Sequence, residues 1–200
     1  MERSLIIMLH GVGSNGDDLA GLGNHWSPAL PGAIFASPDA PFHFEHGGGY
    51  QWFSLNGITE QNRPARVAEA REAFDAKLQS ILEAHQMSEQ LHRVVLVGFS
   101  QGSIMALDAL VTGRWPVAAV VAFSGRLASP EPLTPTKQTP ALLIHGQADT
   151  VIPWAESESA ALRLIAAGVQ VKTQIEPTTG HSISAEGAQT AAQFIADCLK

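Results

Sequence analysis

The run Val94-Val95-Leu96-Val97 leads directly into Gly98-Phe99-Ser100-Gln101-Gly102, and this passage is the strongest indication of the fold. The apolar run predicts a buried strand, and residues 103–110 have the spacing of a helix that packs inward. Glycines on both sides of Ser100 permit a sharp turn that holds the serine hydroxyl clear of the backbone. In this strand–turn–helix context, a G-x-S-x-G sequence predicts a nucleophilic serine at position 100.

The apolar runs around this turn predict an α/β domain. Six of them have the length of strands: 5–9, 33–36, 93–99, 117–123, 141–145 and 169–175. Helical patterns separate several of these runs: one begins at Pro64, another covers 155–167, and the last begins near Ser184. The strands lack two-residue alternation, which is typical of a mostly parallel central sheet flanked by helices on both faces. Residues 1–200 are predicted to form a single domain.

Composition narrows the functions that the chain can have. Its 12 basic and 19 acidic residues give a formal net charge of -7, which argues against nucleic acid or an anionic membrane as a main partner. The single cysteine, Cys198, excludes an internal disulfide and thiolate metal clusters, and its position predicts a core residue. No signal peptide is evident, and the run 5–9 is too short to cross a membrane. We therefore expect a soluble, cytoplasmic protein.

The partners that a nucleophilic serine needs follow it along the chain. A histidine accepts the serine proton near neutral pH, and a carboxylate fixes the histidine tautomer and stabilises the imidazolium. Asp149 follows the strand-like run 141–145, and His181 follows the last such run. The order Ser, Asp, His, with each residue at the end of a strand, predicts a triad of Ser100, His181 and Asp149.

Three other polar residues near these positions are assigned structural roles. Asp108 also follows Ser100, but it lies within the predicted helix and is expected to be solvated. His145 ends its strand before Gly146 and is expected to brace the loop of Asp149 through hydrogen bonds. His10 is expected to hold the loop after the first strand in shape.

Backbone N–H groups commonly stabilise the oxyanion that forms during acyl transfer. The amide of Gln101 is one candidate, because it directly follows the nucleophile at the start of a helix. The loop His10-Gly11-Val12-Gly13 is the expected source of the second, because its glycines permit close approach of the backbone. We assign the second donor to the amide of Val12.

The same loop permits a competing interpretation as a nucleotide site. Residues 11–16 read Gly-Val-Gly-Ser-Asn-Gly and match the G-x-G-x-x-G pattern that binds dinucleotides. Asp17 and Asp18 would repel the pyrophosphate, and Asp17 stands where a phosphate-binding loop needs lysine. The following segment, which Pro28 and Pro31 interrupt, is too broken for the long helix that the pattern requires. Nucleotide binding is therefore disfavoured.

Together these motifs resemble the phospholipase/carboxylesterase family of α/β-hydrolases, which includes the acyl-protein thioesterases. The resemblance covers nearly the whole chain and rests on segments 9–13, 98–102, 123–125, 145–153 and 180–181. It implies the α/β-hydrolase fold and a hydrolase of carboxylic esters, thioesters or lysophospholipids that needs no cofactor or metal. It also implies oxyanion amides at Val12 and Gln101. Many relatives are dimers, so a homodimer is expected.

Aromatic residues gather in the loop 42–54, where the family often has Trp-Phe-Asp and this chain has Trp52-Phe53-Ser54. They either cover the edge of the core or form an apolar wall for the acyl chain beside Ser100. The residues assigned to this wall are Phe42, Trp52, Phe53 and Trp154. The stretch 124–140 is too short for a helical cap domain. An open site that favours short or medium acyl chains is therefore expected.

These inferences predict a serine carboxylesterase that acts on a small ester through an acyl-enzyme intermediate. An acyl thioesterase or a lysophospholipase would use the same triad, and peptide hydrolysis also stays open, because a fold does not fix its substrate. A non-catalytic, ligand-binding relative is the alternative from a different class. The complete set Ser100, Asp149 and His181 argues against it, because a receptor needs no triad.

Overall fold

A six-stranded parallel sheet forms the centre of the computed structural model, which describes residues 2–200. Its strands are β1 (Ser4–Leu9), β2 (Ala33–Ala36), β5 (Val94–Phe99), β6 (Ala119–Phe123), β7 (Ala141–Gly146) and β8 (Val171–Glu176), in the spatial order β2-β1-β5-β6-β7-β8. A short antiparallel hairpin, β3 (Phe42–His43) with β4 (Tyr50–Gln51), lies outside it. All six predicted strands are confirmed, with ends within two residues of the expected positions.

Helices cover both faces of this sheet, as the sequence predicts. They are α1 (Asp17–Trp26), α2 (Arg63–Glu69), α3 (Arg71–Ala84), α4 (Gln101–Val111), α5 (Ala155–Ala166) and α6 (Ala185–Cys198). Alternate residues of β1 point into different layers: Leu5 and Ile7 pack with α2 to α5, whereas Ile6 packs with α1 and α6. Burial of both faces explains the continuous apolar runs of the strands.

Two helical segments differ from the sequence prediction. The helix expected from Pro64 is a pair, α2 and α3, which meet at Ala70. The segment before Pro28 contains α1, which the sequence did not predict. Leu19 and Trp26 of α1 are buried, and the indole N–H of Trp26 donates to the carbonyl of Ala188 in α6 at 2.8 Å.

The expectation that Asp108 is solvated is wrong. Every residue of α4 is buried, so this helix has no face toward water. The guanidinium of Arg71 donates two hydrogen bonds to the Asp108 carboxylate, at 2.9 and 2.8 Å. Arg114 and the hydroxyl of Ser129 add contacts of 3.1 and 2.6 Å. A buried carboxylate is stable in such a place because charged and polar donors surround it.

Nothing helical covers the carboxyl end of the sheet between β6 and β7. Residues 124–140 cross from one strand to the next without a helix, so this connection carries no cap domain. No helix within residues 2–200 is long and apolar enough to span a membrane.

Candidate active site

Ser100 occupies the turn between β5 and α4 in a conformation that is rare for a residue with a side chain. Its φ is 54° and its ψ is -118°, which costs about 1–3 kcal/mol in strain. Its amide donates to the carbonyl of Phe123 in the neighbouring strand at 2.9 Å. Its own carbonyl accepts from the amide and the hydroxyl of Ser103, at 3.0 and 2.6 Å. These bonds hold the strained turn in place.

The positions on either side of Ser100 require glycine for steric reasons. A methyl group at Gly102 would lie 2.1 Å from the carbonyl oxygen of Leu9, at the end of β1. One at Gly98 would lie 2.5 Å from the backbone of Ser103. The turn therefore leaves no room for side chains at these two positions, which explains the glycines that the sequence places on both sides of Ser100.

The structure brings together the three residues that the sequence assigned to a triad. The Nε2 atom of His181 lies 3.0 Å from the Oγ atom of Ser100, and its Nδ1 atom lies 2.8 Å from Oδ2 of Asp149. Ser100 and Asp149 are both buried, whereas the His181 ring is partly open and packs on the ring of Phe99. The chain of contacts Ser–His–Asp is thus continuous.

Asp149 is held by the loop that it belongs to. Its Oδ1 atom accepts hydrogen bonds from the amides of Val151 and Ile152, at 2.8 and 2.9 Å. Burial favours the neutral acid, but the hydrogen bond with His181 and these two amides outweigh it and lower the pKa of Asp149 below its ordinary value. The carboxylate is therefore ionised throughout the neutral range.

His145 braces this loop, as the sequence predicts. Its Nε2 atom lies 2.7 Å from the carbonyl oxygen of Ile152 and 3.2 Å from Oδ2 of Asp149. Its Nδ1 atom lies 2.6 Å from the hydroxyl of Ser157 in α5. The ring thereby joins β7, the Asp149 loop and α5.

A buried carboxylate that the sequence analysis missed closes the loop of His181. Glu176, the last residue of β8, accepts hydrogen bonds from the hydroxyl of Ser184 at 2.8 and 2.9 Å. Ser184 also caps α6 by accepting from the amide of Gly187 at 2.8 Å. The two ends of the loop that carries His181 are therefore tied together. The sequence offered one signal for this contact: a serine at the start of the predicted last helix follows a strand that ends in polar residues.

Gln101 directly follows the nucleophile, and Val12 borders the same cavity as Ser100. A methyl group at Gly11 would be 3.3 Å from the Cβ atom of Ser100, so the loop after β1 packs directly against the serine. Within residues 2–200, the backbone hydrogen bonds outside helices and strands include none that either amide donates, and Gln101 is the first residue of α4, where an amide has no partner within the helix. Two free donors at the same serine suit a negatively charged oxygen.

The side chain of Gln101 has a structural role that the sequence did not indicate. Its Oε1 atom accepts from the amide of Trp52 at 2.7 Å, and its Nε2 atom donates to the carbonyl of Phe53 at 2.8 Å. The residue thus presents its backbone to the nucleophile and fastens the loop 52–53 with its side chain.

The loop after β1 is fixed from several sides. His10 accepts the amide of Ala40 at Nε2 (2.9 Å), so the proton of its ring lies on Nδ1, which donates to the carbonyl of Gly11 at 2.6 Å. The indole of Trp52 donates to the His10 carbonyl at 2.9 Å. Tyr50 exchanges backbone bonds of 2.8 Å with residues 13 and 14. His10 holds the loop in shape, as expected.

Burial of His10 should make the free energy of unfolding depend on pH. Burial lowers its pKa, and this effect outweighs the hydrogen bond to Gly11 and the charges of Asp39 and Asp18. Below pH of about 6.5 the unfolded chain therefore binds more protons at this residue than the folded chain. Stability should fall as the pH drops through that value. Between pH 7 and 5, urea unfolding should show a steeper loss for the wild type than for His10→Gln, by at most about 1.4 kcal/mol per pH unit. Equal slopes would contradict this prediction.

The aromatic residues of the loop 42–54 do not form the expected wall beside Ser100. Trp52 and Phe53 are buried in the core, where the indole packs on Phe74 and supports the loop of His10. With the exposed Phe42, they border a different cavity of about 610 Å³. Trp154 is half-buried at the start of α5 and does not border the cavity at Ser100. Core packing explains these positions, so the interpretation as a core edge holds for Trp52 and Phe53.

The cavity at Ser100 has a volume of about 580 Å³. Besides the residues already assigned, its lining includes Ser14, Asp18, Leu19, Val151, Ser182 and Ile183. Four of these lie within two residues of Val12, Asp149 or His181 in the sequence, so adjacency was a usable signal. Among residues 2–200, no three His, Cys, Asp or Glu side chains are grouped to hold a metal ion.

A parallel sheet with a serine at a strand–helix turn and Asp and His at later strand ends defines an α/β-hydrolase. The family described as Phospholipase/Carboxylesterase matches residues 1–199, and the chain belongs to this family. Membership makes it a carboxylic ester hydrolase.

Similar proteins agree with this assignment. Esterase YpfH of Escherichia coli (strain K12) is 36% identical over 194 residues, which are 94% of this chain and 80% of that protein. Acyl-protein thioesterase 1 of Neurospora crassa is 26% identical over 219 residues, with coverage of 99% and 88%. The crystal structure of esterase PE8 superposes with a TM-score of 0.88 at 36% identity, and the match covers 98% of this chain and 93% of that chain.

Proposed function

We propose that the protein is a serine carboxylesterase that cleaves esters of short to medium acyl chain through a covalent intermediate on Ser100. The observation that carries this proposal is the contact chain from Ser100 through His181 to Asp149, with distances of 3.0 and 2.8 Å. The amide of Gln101, which follows the serine, and that of Val12, which borders the same cavity, support it.

The first half-reaction transfers the acyl group to the enzyme. His181 takes the hydroxyl proton at Nε2 while the oxygen of Ser100 attacks the ester carbonyl. The ionised Asp149 holds the Nδ1 proton and stabilises the imidazolium. The amides of Val12 and Gln101 donate to the oxyanion of the tetrahedral intermediate. His181 then protonates the leaving alcohol, and the acyl group stays on Ser100.

The second half-reaction releases the acid. Water enters the cavity, His181 takes one of its protons, and the resulting oxygen nucleophile attacks the acyl carbonyl. A second tetrahedral intermediate uses the same two amides. Its collapse returns the proton from His181 to Ser100 and leaves the carboxylic acid. The enzyme ends in its starting state without any further group.

The shape of the site supports a short or medium acyl chain. The cavity of about 580 Å³ has no helical cap over it, and the exposed Val151 stands at its border. Such a site offers little apolar surface to a long chain, and each buried methylene adds about 0.8 kcal/mol of binding free energy. An acyl thioester presents the same carbonyl to Ser100, and one similar protein is named a thioesterase.

The release of p-nitrophenol from acetate, butyrate, octanoate and palmitate esters tests this proposal. We expect kcat/KM to be highest between acetate and octanoate and at least about tenfold lower for palmitate, since the site cannot enclose the extra methylenes. Acyl thioesters of the same acids, measured in parallel, separate the esterase from the thioesterase. A preference for palmitate would contradict the proposed chain length, and a preference for every thioester over its ester would favour the thioesterase.

Two further expectations belong to this proposal: a cytoplasmic location and assembly as a homodimer. Sedimentation of the purified protein distinguishes a monomer of 21.2 kDa from a dimer of twice that mass.

A further inference from the structure

The cavity beside Ser100 contains one acidic residue that the mechanism does not use. Asp18, the second residue of α1, borders the cavity together with Ser14 and Leu19. Its carboxylate accepts a hydrogen bond from the hydroxyl of Ser14, and the residue is exposed. No lysine or arginine of the described chain lines this cavity. The surface that meets the substrate therefore carries a fixed negative charge.

Little on the protein neutralises this charge. Within residues 2–200, Asp18 forms no salt bridge. The nearby ring of His10 stays neutral, because burial lowers its pKa. The start of α1 supplies about half of a positive charge, which offsets the carboxylate only in part. Asp149, the acid of the contact chain with Ser100 and His181, faces His181 and is buried.

We propose that Asp18 determines which substrate charges the site accepts. The site should prefer uncharged or cationic esters to esters that carry a carboxylate or phosphate near the scissile bond. This inference rests on the proposed esterase function. A cavity of about 580 Å³ is roughly 10 Å across, which is about one Debye length at 0.1 M ionic strength. Salt therefore does not fully screen Asp18 from a charge on a substrate that occupies the cavity.

The size of the effect follows from Coulomb's law. Two like charges about 8 Å apart, at an effective dielectric constant of roughly 40, repel enough to lower kcat/KM about fivefold. A cation at the same distance gains a similar factor. The anionic and cationic members of one substrate series should therefore move in opposite directions relative to the neutral one.

Three aryl acetates that differ in the charge of the leaving group test the inference: 4-carboxyphenyl, 4-carbamoylphenyl and 4-(trimethylammonio)phenyl acetate. The readout is the ratio of kcat/KM for each charged ester to that for the neutral ester. Asp18→Asn should raise the anionic ratio about fivefold and lower the cationic ratio by a similar factor. The salt dependence of both ratios should weaken in the same variant.

Asp17→Asn is the matched control, because it removes an equal charge from the adjacent exposed position of α1, and Asp17 does not border the cavity. Its ratios should equal those of the wild type. Equal shifts in both variants would assign the effect to the overall charge of the protein and overturn the inference. Unchanged ratios in Asp18→Asn would also overturn it. Absence of turnover of even the neutral ester would instead overturn the proposed function, and the inference with it.

Discussion

Ser100→Ala should lower kcat/KM for every ester substrate by about 10⁴-fold or more, while the protein stays folded. The variant loses the hydroxyl oxygen that lies 3.0 Å from Nε2 of His181 and that we propose attacks the carbonyl. The amides of Val12 and Gln101, which we propose as oxyanion donors, stay in place and should account for the residual rate above that in water. Initial rates with p-nitrophenyl butyrate, together with thermal unfolding of both proteins, measure the two parts of the prediction.

Ser124→Ala is a control matched in chemistry, backbone and burial. Ser124 follows the adjacent strand β6, is buried, and has a φ of 52°, close to the 54° of Ser100. Its removal should leave kcat/KM within a few-fold of the wild type. Retention of most activity in Ser100→Ala would refute the assigned nucleophile. Equal losses of kcat/KM in both variants would indicate that activity depends on any buried serine with a positive φ, and not on a hydroxyl at position 100 that attacks the substrate.

Asp108→Ala should lower the free energy of unfolding by about 3–5 kcal/mol, which is a large share of the 5–15 kcal/mol typical of a domain. The substitution leaves the guanidinium of Arg71, which donates at 2.8 and 2.9 Å, and that of Arg114 without their buried partner. The hydroxyl of Ser129 loses its acceptor as well. Urea unfolding monitored by circular dichroism measures the change.

Asp75→Ala serves as the comparison, because Asp75 also pairs with Arg114, at 2.9 Å, but its side chain is 35% exposed. The loss of a partly exposed pair should cost about 1 kcal/mol. Asp108→Asn, which keeps a polar side chain, should fall between the two and gives a measurement if the alanine variant does not fold. A cost for Asp108→Ala no greater than that for Asp75→Ala would contradict the role of the buried charge.

The sheet and the three polar strand ends were predictable because their signals are local. Strands buried on both faces are continuous apolar runs, and 5–9 and 141–145 need no knowledge of the rest of the fold. Parallel strands place their carboxyl ends at one edge, so Ser100, Asp149 and His181 follow from position alone. The contact distances of 3.0 and 2.8 Å bear out this placement.

The parts that the sequence did not predict depend on contacts between distant residues. The acceptor for the indole of Trp52 is the carbonyl of His10, 42 positions away, so a pocket wall and a core residue look alike in sequence. Asp108 looks solvated until Arg71 and Ser129, which are 37 and 21 positions away, are placed around it. Helix α1 was missed because Pro28 and Pro31 follow closely and dominate the local pattern.

The fixed loop after β1 has a consequence for how the enzyme acquires new substrates. Because Tyr50, Trp52 and Ala40 hold the loop of His10, the amide of Val12, which we propose as an oxyanion donor, is preorganised, and substrate binding need not order it. Few substitutions in this loop are therefore expected to leave the rate of the reaction unchanged. The border of the cavity, by contrast, includes Asp18 and Val151, which are both exposed and are not part of the core. Evolution or laboratory selection is thus free to alter specificity at the border while the reaction itself is inherited unchanged.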